Sequence, residues 1–451
     1  MRRIRRPVPG SGPRPAAAPA GHLRRRRRLA GLAGLVLAPL LALLPAAATA
    51  EGVWLSIPPL QSPRAGLAAA PAPCPPGLRQ TCVYAFGGID PAGLTRTLEA
   101  YSPATNAWAT LTPLPTPRVG LAGKAAPCPE ALKKKTCVYA IGGRDGSGVR
   151  GNVEAYNPAA KNWIYIHPLL TPRSELGAAP AQCPEGYGLR GACVYAVGGR
   201  TNTNSAVDTV EAYSIATGTW ITVHSLPTPR ADLAVASAPC PETSGLRGLC
   251  VYAFGGRNRA GTVVPTVEVY SPVTDAWLSL TPLPAPRYAF AVAPAPCSDG
   301  LRGRCLYAFG GLTAAGGSLD TVQAYSPLAD TWAILPPLRT ARSELAVASA
   351  ACPKTSKGIC LYPLGGFTPA LTDTADALAV KYELPPARPS LGERPYGGGG
   401  GGGGGGRPDA AQGGRPGGGW NDNGPQQSPR GDAGQNDLDD AGTGRSGPLA
   451  G

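Results

Sequence analysis

The residues of this chain with types and spacings suited to chemistry recur in series rather than converging on one point. An arginine returns as Arg64, Arg118, Arg173, Arg230, Arg287 and Arg342. Two residues later an acid stands in three units, as Glu175, Asp232 and Glu344, where the others have Gly66, Gly120 and Ala289. Three consecutive units also carry arginine just after a glycine pair, in Arg144-Asp145, Arg200 and Arg257-Asn258-Arg259. Guanidinium groups mixed with carboxylates suit a polar ligand: a peptide segment, an acidic glycan or a surface polymer. All of these arginines but Arg259, with Glu175, Asp232 and Glu344, form the candidate ligand-binding set. The six serial arginines have a second reading. Each can satisfy local backbone carbonyls or one of the acids Glu99, Glu154, Glu211 and Glu268, which repeat in register with them.

Catalytic constellations are hard to assemble. His167 and His224 occupy the same place in two units, four residues after Trp163 and Trp220, where other units have Thr112, Thr281, Pro58 and Pro336. Residues that alternate with threonine and proline read as structural, so neither a Ser-His-Asp triad nor a histidine-based metal centre is expected. No Gly-x-Ser-x-Gly elbow or Gly-x-x-x-x-Gly-Lys phosphate cradle is present. No catalytic residue, metal or cofactor is assigned.

Twelve cysteines fall into six local pairs: Cys74 with Cys82, Cys128 with Cys137, Cys183 with Cys193, Cys240 with Cys250, Cys297 with Cys305, and Cys352 with Cys360. One pair per unit makes local disulfides the simplest solution. Zinc binding would need further ligands close by and a shorter Cys-x-x-Cys spacing.

The formal charge of +14 includes ten arginines in residues 1–50, which hold no acid, so the remainder carries +4. That is no nucleic-acid footprint. A basic run ending at Arg28, an apolar stretch Leu29–Leu44 and the small residues Ala48-Thr49-Ala50 read as an export signal. The mature chain would start at Glu51. An uncleaved anchor is the rival reading, although the apolar run, broken by Pro39, is short for a membrane span. A secreted or surface location follows, where disulfides persist. From residue 386 onward Gly, Pro, Asn, Asp and Gln dominate, with an unbroken glycine run at 397–406. This composition cannot bury enough apolar surface to fold, and a disordered tail is expected. Its Arg430-Gly431-Asp432 tripeptide reads as chance.

The elements that must position these residues are short strands. In the first unit, Leu67–Ala72, Cys82–Phe86, Thr97–Tyr101 and Trp108–Leu111 are β-type runs separated by Pro, Gly, Asn and Asp. Glycine pairs end the second run of every unit, at Gly87-Gly88, Gly142-Gly143, Gly198-Gly199, Gly255-Gly256, Gly310-Gly311 and Gly365-Gly366. A tyrosine follows in five units, and seven residues after it a tryptophan: Tyr101 and Trp108, Tyr156 and Trp163, Tyr213 and Trp220, Tyr270 and Trp277, Tyr325 and Trp332. This order resembles the kelch repeat, whose units fold as four-stranded propeller blades, and the resemblance covers residues 51–385. It implies an all-β fold, a six-bladed kelch-type β-propeller with four antiparallel strands per blade. The sixth unit has a third strand near Ala377–Tyr382 but no tryptophan. Trp54–Leu60 matches Trp332–Leu338 closely, so residues 52–58 should complete the last blade and close the ring.

The resemblance also implies that loops between blades, and between second and third strands, share a face that binds partners, with the serial arginines near it. A monomeric binding or scaffold module recognising a protein segment or polar glycan is the expected function. The alternative is a carbohydrate-active enzyme of epimerase, mutarotase or oxidase type, with acids and a histidine gathered in the channel.

Overall fold

The computed structural model describes residues 52–380, apart from Arg79 and residues 130–134, 299–300 and 355–357. The expected export signal, its cleavage point at Ala50, the C-terminal tail and Tyr382 lie outside the described residues. Six four-stranded antiparallel sheets are present, with no α-helix among the described residues. The first blade comprises Ala68–Pro73, Thr81–Phe86, Leu98–Ser102 and Ala107–Thr110, in that order from the axis outward. The sixth takes Ala346–Ala351, Ile359–Leu364 and Asp376–Val380 from the end of the propeller and Gly52–Ser56 from its beginning. The pairing runs Gly52 to Val380, Trp54 to Leu378 and Ser56 to Asp376. The chain thus closes its own ring.

The two middle strands of each blade are buried almost throughout, without the alternation of a half-solvated sheet. Leu98–Ser102, Val153–Asn157 and Val210–Ser214, for example, are buried at every residue. Each blade is covered on both faces by its neighbours, so both sets of side chains must be apolar or paired. One apolar cluster joins Ala70, Tyr84 and Phe86 of the first blade to Val138, Ala140 and Tyr156 of the second, and the same pattern repeats around the ring.

Two circular sets of hydrogen bonds tie the blades together. At the outer rim the tryptophan indole of each blade donates to a carbonyl at the end of the preceding blade. Trp108 donates to Pro58 at 2.8 Å, Trp163 to Thr112, Trp220 to His167, Trp277 to His224, Trp332 to Thr281 and Trp54 to Pro336. Both histidines therefore serve this rim through their backbone carbonyls, which threonine or proline supplies equally well. At the axis, Gly66, Gly120, Glu175, Asp232, Ala289 and Glu344 form a closed cycle in which each N–H donates to the carbonyl of the preceding residue, at 2.7 to 3.0 Å.

All six cysteine pairs are disulfides within their own blade, with Cα atoms 4.8 to 4.9 Å apart. Cys74 is bonded to Cys82, Cys128 to Cys137 and Cys183 to Cys193. Cys240 is bonded to Cys250, Cys297 to Cys305 and Cys352 to Cys360. Each staples the end of the innermost strand to the start of the next. The second partners Cys82, Cys137, Cys193, Cys250, Cys305 and Cys360 are wholly buried. These six are therefore part of the blade interior and offer no surface to a ligand, a position that follows from their place on the apolar second strand. In the chain-entropy account, closing loops of this length stabilises by about 2–3 kcal/mol each.

Candidate functional site

The twelve candidate binding residues divide into two tiers. The serial arginines Arg64, Arg118, Arg173, Arg230, Arg287 and Arg342 are all fully buried. They form no ligand-facing ring, and this part of the expected binding set is corrected by the structure. Each precedes an inner strand and turns its guanidinium into its own blade. Arg230 bonds Glu268 at 2.7 Å together with the carbonyls of Thr266 and Ala253. Arg118 pairs with Glu154 and the carbonyls of Gly142 and Asn152. Glu99 partners Arg64 and Glu211 partners Arg173, while Asp376 serves Arg342 at 3.0 Å. Of the six, Arg287 alone faces a neutral side chain, Gln323, at 2.8 Å.

The same arginines also link blades. The carbonyl of Arg118 accepts from the second glycine of the preceding pair, Gly88, at 2.8 Å, and each other blade repeats this bond. Burial pushes the guanidinium pKa down, to about 10 for Arg173, Arg230 and Arg287, which still leaves them charged at neutral pH. Removing one partner from such a pair strands a buried charge and costs about 3–5 kcal/mol.

The second tier is the axial mouth, where the remaining six candidates do meet. A cavity of about 150 Å³ is lined by Arg144, Glu175, Asp232 and Glu344 among apolar neighbours such as Leu121 and Phe290. The three acids sit on the axial hydrogen-bond cycle, whose members all have left-handed backbones, with φ from 52° to 64°. Glycine adopts this conformation freely, as Gly66 and Gly120 do here, whereas an acidic side chain there costs of order 1–2 kcal/mol. Glu175, Asp232 and Glu344 thus hold strained positions that put carboxylates round the axis.

Arg200 and Arg257 cross-link two of them. Arg200 donates to Glu175 at 2.8 Å and to Asp232 at 3.2 Å. Arg257 donates to Asp232 at 2.7 Å, and its guanidinium lies 4.4 Å from the centre of the Tyr288 ring. Arg144 is exposed and makes no ion pair among the described residues. Glu344 makes none either. Its carboxyl is pushed up from the ordinary value by burial and then by Asp232 and Glu175, against the pull of Arg144 and Arg257.

The mouth is also two-sided, which sequence reasoning missed. Arg144 and Arg200 bridge to the segments that open their blades' inner strands, through Val119 and Ser174, and Arg257 pairs likewise with Ala231. The same backbone position in the other three blades is held by Ile89, Leu312 and Phe367, bridged to Ala65, Tyr288 and Ser343. Ile89 and Phe367 are exposed. Consecutive blades two to four therefore present guanidiniums, and blades five, six and one present apolar side chains. The residues after the glycine pairs carried this signal in the sequence, but only their charged half was read.

The kelch motif matches residues 73–115, 191–227, 247–284 and 295–339. Six four-stranded blades define a β-propeller, and the kelch motif is matched in its first, third, fourth and fifth blades. Among curated proteins, the chain is 28% identical over 219 residues to the Kelch repeat and BTB domain-containing protein 1 of Cowpox virus, covering 47% of this chain and 34% of that one. It is 31% identical over 133 residues to Kelch-like protein 25 of Xenopus tropicalis, covering 28% of this chain and 20% of the relative. It is 34% identical over 99 residues to Beta-scruin of Limulus polyphemus, covering 21% of this chain and 10% of that protein. In each case the match spans about a third or less of the relative's length.

Proposed function

We propose that the propeller is an exported protein-binding scaffold whose mouth takes a protein segment presenting acidic side chains on one side and apolar ones on the other. The observation that carries this reading is the divided mouth, with Arg144, Arg200 and Arg257 opposite Ile89, Leu312 and Phe367. Mixed side chains of this kind are what a peptide offers and a polar glycan does not. Arg144 is the open cation for an incoming carboxylate, and Glu344 the open acid for an incoming donor. The kelch relatives support a scaffold role, and six disulfides fit an oxidising compartment. The enzyme alternative has its trio of acids at the mouth, but His167 and His224 stand exposed at the outer rim.

The test is a paired peptide and glycan array probed with the wild-type chain and with a triple variant carrying Arg144→Ala, Arg200→Ala and Arg257→Ala. The expected outcome is retention on peptides that combine acidic and apolar residues, lost in the variant and weakened by Phe367→Asp. Retention on glycans alone, or peptide binding indifferent to both variants, overturns the reading.

A further inference from the structure

The six innermost strands are made almost wholly of small apolar residues. Their sequences run AAAPAP, AGKAAP, GAAPAQ, AVASAP, AVAPAP and AVASAA. The third place is Ala70, Ala179, Ala236, Ala293 and Ala348 in five blades, and each of these alanines is buried. In the second blade it is Lys124. A lysine is the one charged residue on these strands. Nothing in blade packing asks for it, because the five neighbours close the same space with a methyl group.

Lys124 borders the axial channel. Beyond the mouth and the channel's middle section lies a cavity of about 390 Å³, to which all six blades contribute wall. Its lining includes Pro71, Pro180, Pro294 and Val347, with the hydroxyls of Ser237 and Ser349 among them. Among the described residues, the only charged ones lining it are Lys124 and, on the second strand of the fifth blade, Arg304. Among the described residues no carboxylate lines the cavity, and neither cation has an ion pair. Lys124 also borders the channel's middle section, so the surface it keeps faces the channel rather than bulk water. An ammonium left without a partner among apolar walls is unfavourable, and burial accordingly lowers its pKa to about 8. An anion beside it would relieve that penalty.

We propose that this cavity is a binding site for a small amphipathic carboxylate, its head group held by the Lys124 ammonium and its apolar body by the alanine, proline and valine walls. The point charge of a single lysine, in a cavity that also holds two serine hydroxyls, suits a carboxylate better than a phosphate, which calls for more donors. The walls suit an alkyl or aryl body, whose burial away from water stabilises the complex. Arg304, exposed on the same wall, adds a second positive charge for the approaching anion.

The decisive experiment is calorimetric titration of the full, disulfide-bonded chain with decanoate, decanol and decyl phosphate, repeated on Lys124→Ala. That variant restores the residue of the other five blades, and its thermal unfolding reports whether folding is kept. Lys124→Met, which retains the side-chain bulk, is the second variant. Decanoate should bind the wild type and lose at least tenfold in affinity in both variants, while decanol binds all three proteins alike. Wild-type affinity for decanoate should fall as pH rises through about 8 and be flat in the variants. Arg144→Ala at the mouth should leave it unchanged, which keeps this site separable from the one proposed above. The proposal is overturned if the wild type does not take up decanoate at pH 7, if Lys124→Ala binds it as tightly, or if decyl phosphate is preferred tenfold.

Discussion

Arginine does two opposite jobs in this molecule, and the two sets sit within one tier of each other. The serial arginines are sealed from solvent, bonded to a carboxylate or amide on the third strand and to carbonyls of the same blade. Arg144, Arg200 and Arg257 lie at the mouth, partly or largely exposed, and Arg200 and Arg257 share Glu175 and Asp232 between them. The first set recurs in every blade, as a feature must that every blade needs in order to dock. The second occurs in three blades only, and the positions it leaves are apolar. In a repeat protein, what is common to all units serves the assembly. What breaks the pattern is free to serve something else.

That contrast can be broken at several points. The largest effect should come from the ring closure itself. Deleting residues 51–60 removes the last blade's outer strand, the Trp54 indole bond and buried Ile57 and Leu60. Urea denaturation should then show a far lower midpoint than for the intact chain, whereas an unaltered midpoint would show that the clasp contributes nothing. Next in size, Arg230→Met should cost about 3–5 kcal/mol because it strands Glu268 in the interior. Arg287→Met should cost clearly less, since its partner Gln323 is neutral. Equal losses in denaturant melts would mean the acids add no penalty when orphaned. Third, replacing both Cys240 and Cys250 by alanine should lower stability by about 2–3 kcal/mol through its own blade tip. Reduction followed by proteolysis should cut at these tips before the ring opens. Smaller still, Arg144→Ala at the mouth should alter stability by no more than about 0.5 kcal/mol.

A separate prediction concerns pH. Lys124 has a folded pKa of about 8 against an ordinary 10.5, so between those values the unfolded chain holds more protons than the folded one. Wild-type stability should therefore gain on that of Lys124→Ala as pH rises from 8 to 10.5. A constant difference between the two proteins across that window would place the ammonium in ordinary solvent.

Much of the fold was legible because the repeat states it six times over. The Tyr-to-Trp interval marked the hairpin of the outer strands, and the match of Trp54–Leu60 to Trp332–Leu338 marked the closure seen in the pairing of Trp54 with Leu378. The cysteine spacing marked bridges that the structure contains, such as Cys128 to Cys137 and Cys297 to Cys305. Side-chain direction was legible only as a choice. The in-register acids offered the serial arginines partners inside the blade as an alternative to a ligand-facing place, and the folded blade, with Arg64 on Glu99 and Arg230 on Glu268, decides for the acids. The axial cycle left a faint trace in Gly66 and Gly120, because glycine marks a left-handed backbone, but Glu175, Asp232, Ala289 and Glu344 concealed it. Lys124 was visible in principle. It stands out only when the six inner strands are laid over one another, and a strand of alanines and prolines gives little reason to do so.

The seam in the sixth blade makes the order of the polypeptide a matter of choice. Gly52–Ser56 against Asp376–Val380 reproduces, without a peptide link, the hairpin that Leu98–Ser102 and Ala107–Thr110 make with one. The break between residues 380 and 52 is thus one of six equivalent places at which the ring could be opened. A circular permutant spliced across residues 380 and 52 and opened in the turn between Ser102 and Ala107 keeps every rim and axial bond described above. Such a rearranged gene offers a way to move both termini away from the last blade while leaving the mouth and the channel as they are.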